Sequence, residues 1–165
     1  MGLAGTGIQS AGLSEAAVDT IIAATVVPAF SVEKTAAQDN IATSTFTKLT
    51  WAAAGVHYDT GSNFDDANDR FTATVAGKYH VTANIFYSGL TTGKFISTYI
   101  RINNADVTNN QNYFVTSAFH WSNISGDFVL AVDDYVEIFA FTDTVNAVDI
   151  AVQDRSRFMV HRIGP

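Results

Sequence analysis

Apolar and polar residues alternate along the stretch from residue 70 to residue 88, with one interruption at Gly77. Every second residue is apolar or small between residues 71 and 75, and again between residues 79 and 87. A period of two is typical of a β-strand that places one face in a core. Because glycine adopts positive φ without steric cost, Gly77 marks a hinge. The pattern therefore predicts two consecutive strands joined at Gly77.

Turn-forming residues recur about every eight to twelve residues from residue 29 onward, a spacing typical of an all-β sandwich or barrel. Further strands are predicted at residues 30–32, 43–51, 56–58, 95–102, 113–121, 128–132, 135–141, 147–152 and 157–163. Turns and loops are predicted at residues 59–69, 91–93, 103–112, 123–127 and 133–134. Long blocks rich in Leu, Glu and Lys are missing, which also favours an all-β fold.

Residues 1–28 are expected to form a separate N-terminal arm, and residues 29–165 the main domain. The first twelve residues are small and rich in glycine. A short amphipathic helix is predicted at residues 14–24, with Ser14 as its N-cap and Pro28 ending any helical run. So short a helix needs a packing partner to be stable. The predicted anchor residues are Leu3, Ile8, Val18, Ile21 and Ile22.

Composition narrows the classes of function. The chain has 165 residues, no cysteine and a net charge of −7, with nine Lys and Arg residues scattered along it. A thiolate metal site is excluded, and without a basic stripe we do not expect a nucleic-acid partner. No stretch approaches the roughly 20 apolar residues of a membrane span. The first residues lack a basic region before an apolar run, so we expect no secretory signal there.

Several predicted strands carry aromatic residues on the face that a monomeric sandwich would make polar. Large apolar patches of this kind usually mark an interface. A second core, or a strand that switches sheets, is the alternative explanation. We expect a buried subunit interface made by Tyr113, Phe119, Trp121, Tyr135, Phe139 and Phe141.

Short motifs between residues 29 and 164 resemble the complement C1q and tumour-necrosis-factor superfamily, in particular the C1q-like domain that also occurs in bacterial and phage proteins. The most specific match is the block from residue 71 to residue 79. The other matching segments are residues 30–32, 45–49, 58–61, 130–136 and 158–160. Two positions depart from the family pattern: Asp133-Asp134 stands where the family has Gly-Asp, and Met159 where it has Gly.

The resemblance implies a ten-stranded jelly-roll β-sandwich that assembles as a homotrimer with aromatic residues near its axis. Together with the arm, it suggests a non-enzymatic virion structural protein, such as a capsid decoration or a short head or tail fibre. The arm would then bind a capsid or tail protein. The alternative is an extracellular adhesin that binds a host glycan or receptor through Asn109, Asn110, Asn112 and Tyr113.

The residues that could support chemistry form no recognised catalytic motif. The four histidines, His57, His80, His120 and His161, lie outside any nucleophile, zincin or facial-triad pattern, and the His-x-His pair of a cupin is absent. We therefore expect no catalytic residues and no required cofactor. Calcium is possible in the loop that contains Asp65, Asp66 and Asp69, because clustered carboxylates suit this cation.

Overall fold

The computed structural model describes residues 14, 27–115, 119–144, 148–150 and 156–165. Within these residues, thirteen strands form two sheets whose paired strands are antiparallel. The strands are β1 (Ala29–Glu33), β2 (Gln38–Ile41), β3 (Thr47–Lys48), β4 (Val56–Thr60), β5 (Phe64–Asp65), β6 (Arg70–Thr72), β7 (Gly77–Ser88), β8 (Phe95–Ile102), β9 (Ala105–Tyr113), β10 (His120–Leu130), β11 (Tyr135–Thr142), β12 (Val148–Ile150) and β13 (Arg157–Gly164).

The two sheets pack face to face, and the apolar core lies between them. Sheet A has the order β2-β12-β7-β13-β1-β4, with β10 paired to β7. Sheet B has the order β5-β6-β11-β8-β9, with β3 paired to β11. Each sheet therefore has an inward face toward the core and an outward face. The expected all-β jelly-roll sandwich is confirmed, with thirteen strands in the described residues where the resemblance implied ten.

Strand β7 is the centre of sheet A, and its alternation is the one predicted from the sequence. Tyr79, Val81, Ala83, Ile85 and Tyr87 are fully buried on its inward face. The strand begins at Gly77, where an added Cβ would lie 2.5 Å from the carbonyl oxygen of Gly164. Close approach of the β13 backbone is thus the physical reason for a glycine at this hinge.

Aromatic side chains from both sheets meet in the core. The ring of Phe30 on β1 lies 5.4 Å from that of Phe158 on β13 and 6.0 Å from that of Phe71 on β6. All three side chains are fully buried. Burial of apolar surface contributes about 25 cal/mol per Å², so these contacts between sheets fix how the sandwich closes.

The sequence interpretation is wrong in the middle of the chain. Residues 103–112, expected to be a loop, form a two-residue turn followed by β9. The strand predicted at 113–121 is not continuous: β9 ends at Tyr113, Phe114 and Val115 lie outside any strand, and β10 begins at His120. The predicted turn at 123–127 lies inside β10, which pairs with β7 along its whole length.

Two shorter segments also differ from the expectation. The strand predicted at 43–51 is reduced to β3, which pairs with β11 over two residues. Within the strand predicted at 147–152, the structure describes β12 (Val148–Ile150), which lies between β2 and β7. The predicted helix at 14–24 and the anchor residues lie outside the described residues, apart from Ser14.

Polar side chains close the sandwich where β9 meets β10. The Asn110 side chain donates a hydrogen bond of 2.8 Å to the backbone oxygen of Asn123, on the free edge of β10. Behind it, the Thr98 hydroxyl lies 2.8 Å from that of Ser122 and 2.9 Å from that of Tyr87, and all three residues are fully buried. Buried hydroxyl groups need such partners. This end of the core is therefore polar.

Candidate functional site

The outward face of sheet A presents five successive rows of side chains. Strand register places Lys78 opposite Val129, His80 opposite His161 and Asp127, and Phe86 opposite Trp121. Between these rows lie small and polar residues of β7, β10 and β13, namely Thr82, Ser125, Met159, Asn84, Asn123 and Arg157. Apolar groups thus occupy both ends of this face, and polar groups its middle.

An aromatic cluster occupies one end of this face. The Phe119 ring stacks on the Phe86 ring with centroids 5.4 Å apart, and the Trp121 ring meets Phe86 edge-on at 5.0 Å. Phe86 is 6% exposed, whereas Phe119 is 70% exposed and Trp121 44% exposed. Two large rings therefore extend into solvent from a fixed base, which is typical of an interface.

A shallow apolar groove occupies the opposite end. It has a volume of about 170 Å³ and is lined by Lys78, Asp127, Phe128, Val129 and Ile163. The Val129 side chain is 77% exposed and that of Ile163 is 54% exposed. The groove carries one cation and one carboxylate.

Histidines occupy the row next to the groove. The His161 Nε2 atom lies 2.7 Å from the hydroxyl oxygen of Tyr58, and the His80 Nδ1 atom lies 2.6 Å from a carboxylate oxygen of Asp127. The pKa of His161 is lowered by burial and, to a smaller extent, by the charge of His80. A lowered pKa favours a neutral imidazole at neutral pH.

The outward face of sheet B carries a second, separate set of aromatic residues. The rings of Tyr113 and Phe95 lie 5.5 Å apart, and the Phe95 ring stacks on that of Phe141 at 6.0 Å. Phe46, just before β3, meets Phe141 at 5.1 Å and Tyr99 at 4.9 Å. These five rings form a continuous strip across the sheet, here called the aromatic strip.

Ion pairs flank the aromatic strip. The Arg101 guanidinium lies 4.6 Å from the centre of the Phe139 ring and 5.6 Å from that of Phe46. Its Nε atom lies 2.7 Å from a carboxylate oxygen of Asp106. Lys48 pairs with the buried carboxylate of Glu137 at 3.3 Å. The strip is therefore bordered by charges that neutralise each other.

The six predicted interface residues do not share one surface. Phe119 and Trp121 lie on sheet A, whereas Tyr113, Phe139 and Phe141 lie on the outward face of sheet B. Tyr135 also belongs to sheet B, where the Arg70 guanidinium lies 4.3 Å from its ring centre. Phe139 and Phe141 are half-buried on the outward face, outside the core between the sheets.

Other residues of these two faces were not assigned to a site from the sequence. Phe86 is an aromatic residue on the otherwise polar face of β7, and Phe95 and Tyr99 lie on the face of β8 opposite its isoleucines. That phase was visible in the sequence. By contrast, nothing in the sequence pattern indicates that Val129 and Ile163 line one groove.

The predicted ligand-binding asparagines lie on an edge strand rather than in a loop. Asn109 is exposed on the outward face of β9, opposite Tyr99, and its amide nitrogen lies 3.2 Å from the Ser97 hydroxyl. Asn110 and Asn112 lie on the other face of β9, where their side chains are hydrogen-bonded to each other. Tyr113 is 70% exposed at the end of the strand.

The three candidate calcium ligands all accept hydrogen bonds within the protein. Asp69 Oδ1 accepts from the backbone N–H of Trp51 at 2.6 Å, and Asp66 Oδ1 from that of Ala53 at 2.7 Å. Asp65 binds the Asn68 and Arg70 side chains, and these bonds lower the pKa of its carboxyl group. The loop therefore holds the preceding turn in place through these hydrogen bonds.

The other two histidines lie elsewhere on sheet A, away from the His80 and His161 pair. His57 lies 2.8 Å from a carboxylate oxygen of Glu33, which also meets Arg157 at 3.3 Å, and these two contacts lower the pKa of Glu33. His120 packs against Phe114, and burial lowers its pKa. Among the described residues, no three His, Asp or Glu side chains are arranged to hold a metal ion.

No helix in the described part of the chain is both long and apolar enough to cross a membrane. A scan against protein-family models and a search of curated proteins found no match.

Solved structures with a similar fold are found. The globular domain of zebrafish complement 1qA protein matches with a TM-score of 0.63 and 16% identity, over 82% of this chain and 97% of that one. Murine APRIL at pH 5.0 matches with a TM-score of 0.64 and 10% identity, over 83% of this chain and 99% of that one. Identities this low show the fold alone. The chain therefore has a C1q/TNF-like jelly-roll fold.

Proposed function

We propose that this chain is a non-enzymatic structural protein whose jelly-roll domain forms a homotrimeric head through the outward face of sheet A. The observation that carries the proposal is the exposure of Phe119 and Trp121, whose rings both pack against the buried Phe86 ring. Exposed rings on a fixed base gain about 25 cal/mol per Å² when a neighbour covers them. That the assembly contains three copies is implied by the resemblance to the C1q and TNF superfamily.

Relative exposure favours sheet A over sheet B as the assembly face. On sheet A, Phe119, Trp121, Val129 and Ile163 are between 44% and 77% exposed. On sheet B, most rings of the aromatic strip cover one another and are half-buried. Apolar groups at both ends of the sheet A face would anchor a partner, and the polar middle would set its register.

Sedimentation of the purified full chain tests this assembly. We expect a trimer at micromolar concentration, and a monomer for the double variant Phe119→Ser, Trp121→Ser. The matched control is Phe46→Ser, which removes an exposed ring from sheet B and should leave the trimer intact. A monomeric wild-type chain would refute the proposal, as would dissociation of the control variant alone.

Residues 1–28 would attach the head to a capsid or tail protein of a virion. Support comes from the small and apolar residues of this segment, including Val18, Ile21 and Ile22, and from the resemblance to C1q-like domains of phage proteins. In the full chain, Ile21→Glu with Ile22→Glu should leave the trimer unchanged and lower the number of copies on purified particles. Unchanged copy number would contradict this attachment.

A further inference from the structure

We propose that the outward face of sheet B is a binding platform for a neutral, extended oligosaccharide. This inference goes beyond the assembly proposed for sheet A and does not depend on it. The proposed site differs from the glycan site expected from the sequence. Asn110 and Asn112 lie on the other face of β9 and are not part of it, whereas the rings of β8, β11 and residue 46 are.

The first argument for a glycan site is the length of the aromatic strip. The aromatic strip crosses from Tyr113 on β9, through Phe95 and Phe141, to Phe46 beside β3. Three strand spacings separate its two ends, which corresponds to about 14 Å. A strip longer than one pyranose ring suits a chain of sugars lying along it.

The rings are accessible and already held in place. Tyr113 is 70% exposed and Phe46 is 42% exposed, one at each end of the strip. The Phe95 ring stacks on that of Phe141, and the Tyr99 ring meets that of Phe46 edge-on, so ring contacts hold these side chains in position. A pyranose ring presents a face of C–H groups that packs on an aromatic ring by dispersion and loss of hydration. Preorganised rings lower the entropy that binding would otherwise lose.

Amide groups stand beside the rings. On the outward side of β9, Gln111 lies opposite Ser97 and Asn109 lies opposite Tyr99, and both are exposed. The Gln111 side chain makes no hydrogen bond within the described residues, and Asn109 uses its amide nitrogen on Ser97. An amide supplies both donors and acceptors. Sugar hydroxyl groups need both, so these two residues suit a glycan better than a wholly apolar ligand.

The charges beside the aromatic strip indicate which class of glycan it would bind. Each cation around the strip is paired: Arg101 with Asp106 at 2.7 Å, Lys48 with Glu137 at 3.3 Å, and Lys94 with Asp143 at 3.7 Å. An acidic glycan would need a cation without such a partner. The paired charges therefore favour a neutral oligosaccharide over a sialylated or sulfated one.

A second copy of the chain is the competing occupant of this face. Stable protein interfaces bury about 800 Å² per partner and have cores depleted of charged residues. Here ion pairs and exposed amides lie close to a narrow strip whose central rings already cover one another. These features favour a ligand that contacts a strip and its border, rather than a sheet-wide protein partner.

Titration calorimetry of the full chain tests the proposal. The probes are linear hexasaccharides of glucose, mannose and N-acetylglucosamine, with sialylated and sulfated glycans as charged comparisons. We expect at least one neutral hexasaccharide to bind, and Tyr113→Ala and Phe46→Ala each to weaken binding roughly fivefold or more. Gln111→Ala should weaken it by a smaller factor. The matched control Trp121→Ala, on sheet A, should bind as wild type.

Conservative variants separate recognition from folding. Tyr113→Phe and Phe46→Tyr keep the rings and should keep the affinity. The proposal is overturned if no neutral hexasaccharide binds at millimolar concentration, if binding survives both alanine variants, or if charged glycans alone bind. It is also overturned if Phe46→Ala or Tyr113→Ala changes the sedimenting mass, because the face would then belong to a second copy. The wild-type sedimenting mass tests the trimer separately.

Discussion

His161 lies directly opposite His80 across the ladder between β13 and β7, on the outward face of sheet A. The hydroxyl of Tyr58 lies 2.7 Å from the His161 ring, and Asp127 holds the His80 ring from the other side. Burial and the facing His80 together lower the pKa of His161. The folded protein therefore disfavours the protonated form of His161.

The first prediction follows from the sign of that pKa change. In the unfolded chain His161 takes up its proton near the usual value of about 6.5, above the pKa of the folded state. Because the unfolded state then binds more protons, the free energy of unfolding falls as the pH drops below about 6.5. His161→Gln keeps a partner for Tyr58 and should show a flatter dependence. Urea unfolding between pH 7.5 and 5 measures both.

His120→Gln is the comparison: burial also lowers the pKa of His120, so this variant should flatten the dependence as well, although no second histidine faces that ring. Stability curves of wild type and His161→Gln that run parallel would show that His161 contributes nothing to the acid response.

The second prediction concerns Lys34, which is 3% exposed and whose pKa burial lowers to about 8. Between that value and about 10.5 the unfolded chain binds more protons than the folded one. Stability of the wild type relative to Lys34→Met should therefore rise as the pH rises through this window. The gain is at most about 3 kcal/mol, and smaller because hydrogen bonds to Thr50 and Gln38 favour the ammonium.

Chemical denaturation at pH 7, 8.5 and 10 measures the Lys34 effect. Lys94→Met, at a more exposed lysine, controls for the general alkaline response. A stability difference between wild type and Lys34→Met that stays constant over this range would contradict the prediction.

The third prediction is that Gly77→Ala destabilises the fold by roughly 1–3 kcal/mol. Its Cβ would lie 2.5 Å from the Gly164 oxygen and 2.5 Å from Arg162 Nε, so the β13 backbone would have to move. Gly93→Ala is the comparison, because Gly93 has a φ of 78° but no atom within 4 Å of an added Cβ. Thermal unfolding should show the larger loss for Gly77→Ala. Equal losses would mean that backbone conformation, rather than steric contact, dominates.

The fourth prediction separates a structural role of Asp69 from a calcium role. Asp69→Asn keeps the acceptor for the Trp51 N–H and suits the φ of 50°, so stability should change little. Asp69→Ala should lose about 1–3 kcal/mol. A chelator should leave the wild-type melting temperature unchanged. A saturable rise in melting temperature on adding calcium, lost in Asp69→Asn, would support the cation site instead.

Alternation predicted the fold well wherever a strand separates an apolar core from a polar exterior. This condition holds for β7, β8 and β11, which have buried apolar residues on one face. It fails for β9, whose outward face meets solvent and whose inward face carries Thr108, Asn110 and Asn112. Because neither face of β9 carries a regular series of apolar residues, its Asn-rich sequence cannot be distinguished from a loop by alternation.

The sequence indicated which aromatic residues lie outside the core, but it did not indicate which of them share one surface. Alternation assigns residues of one strand to two faces, yet it cannot say which faces of different strands coincide. Phe119 and Phe139 were therefore grouped together, although register places them on opposite sheets. That grouping needs the strand order, which depends on long-range pairing between β7 and β10 and between β8 and β11.

The hydrogen bond from Asn110 to the Asn123 carbonyl occupies one backbone acceptor on the free edge of β10. A bare strand edge can recruit further copies without limit, as fibrils do. With the Asn110 side chain set against that edge, a further strand could pair with β10 at Asn123 only after this hydrogen bond breaks.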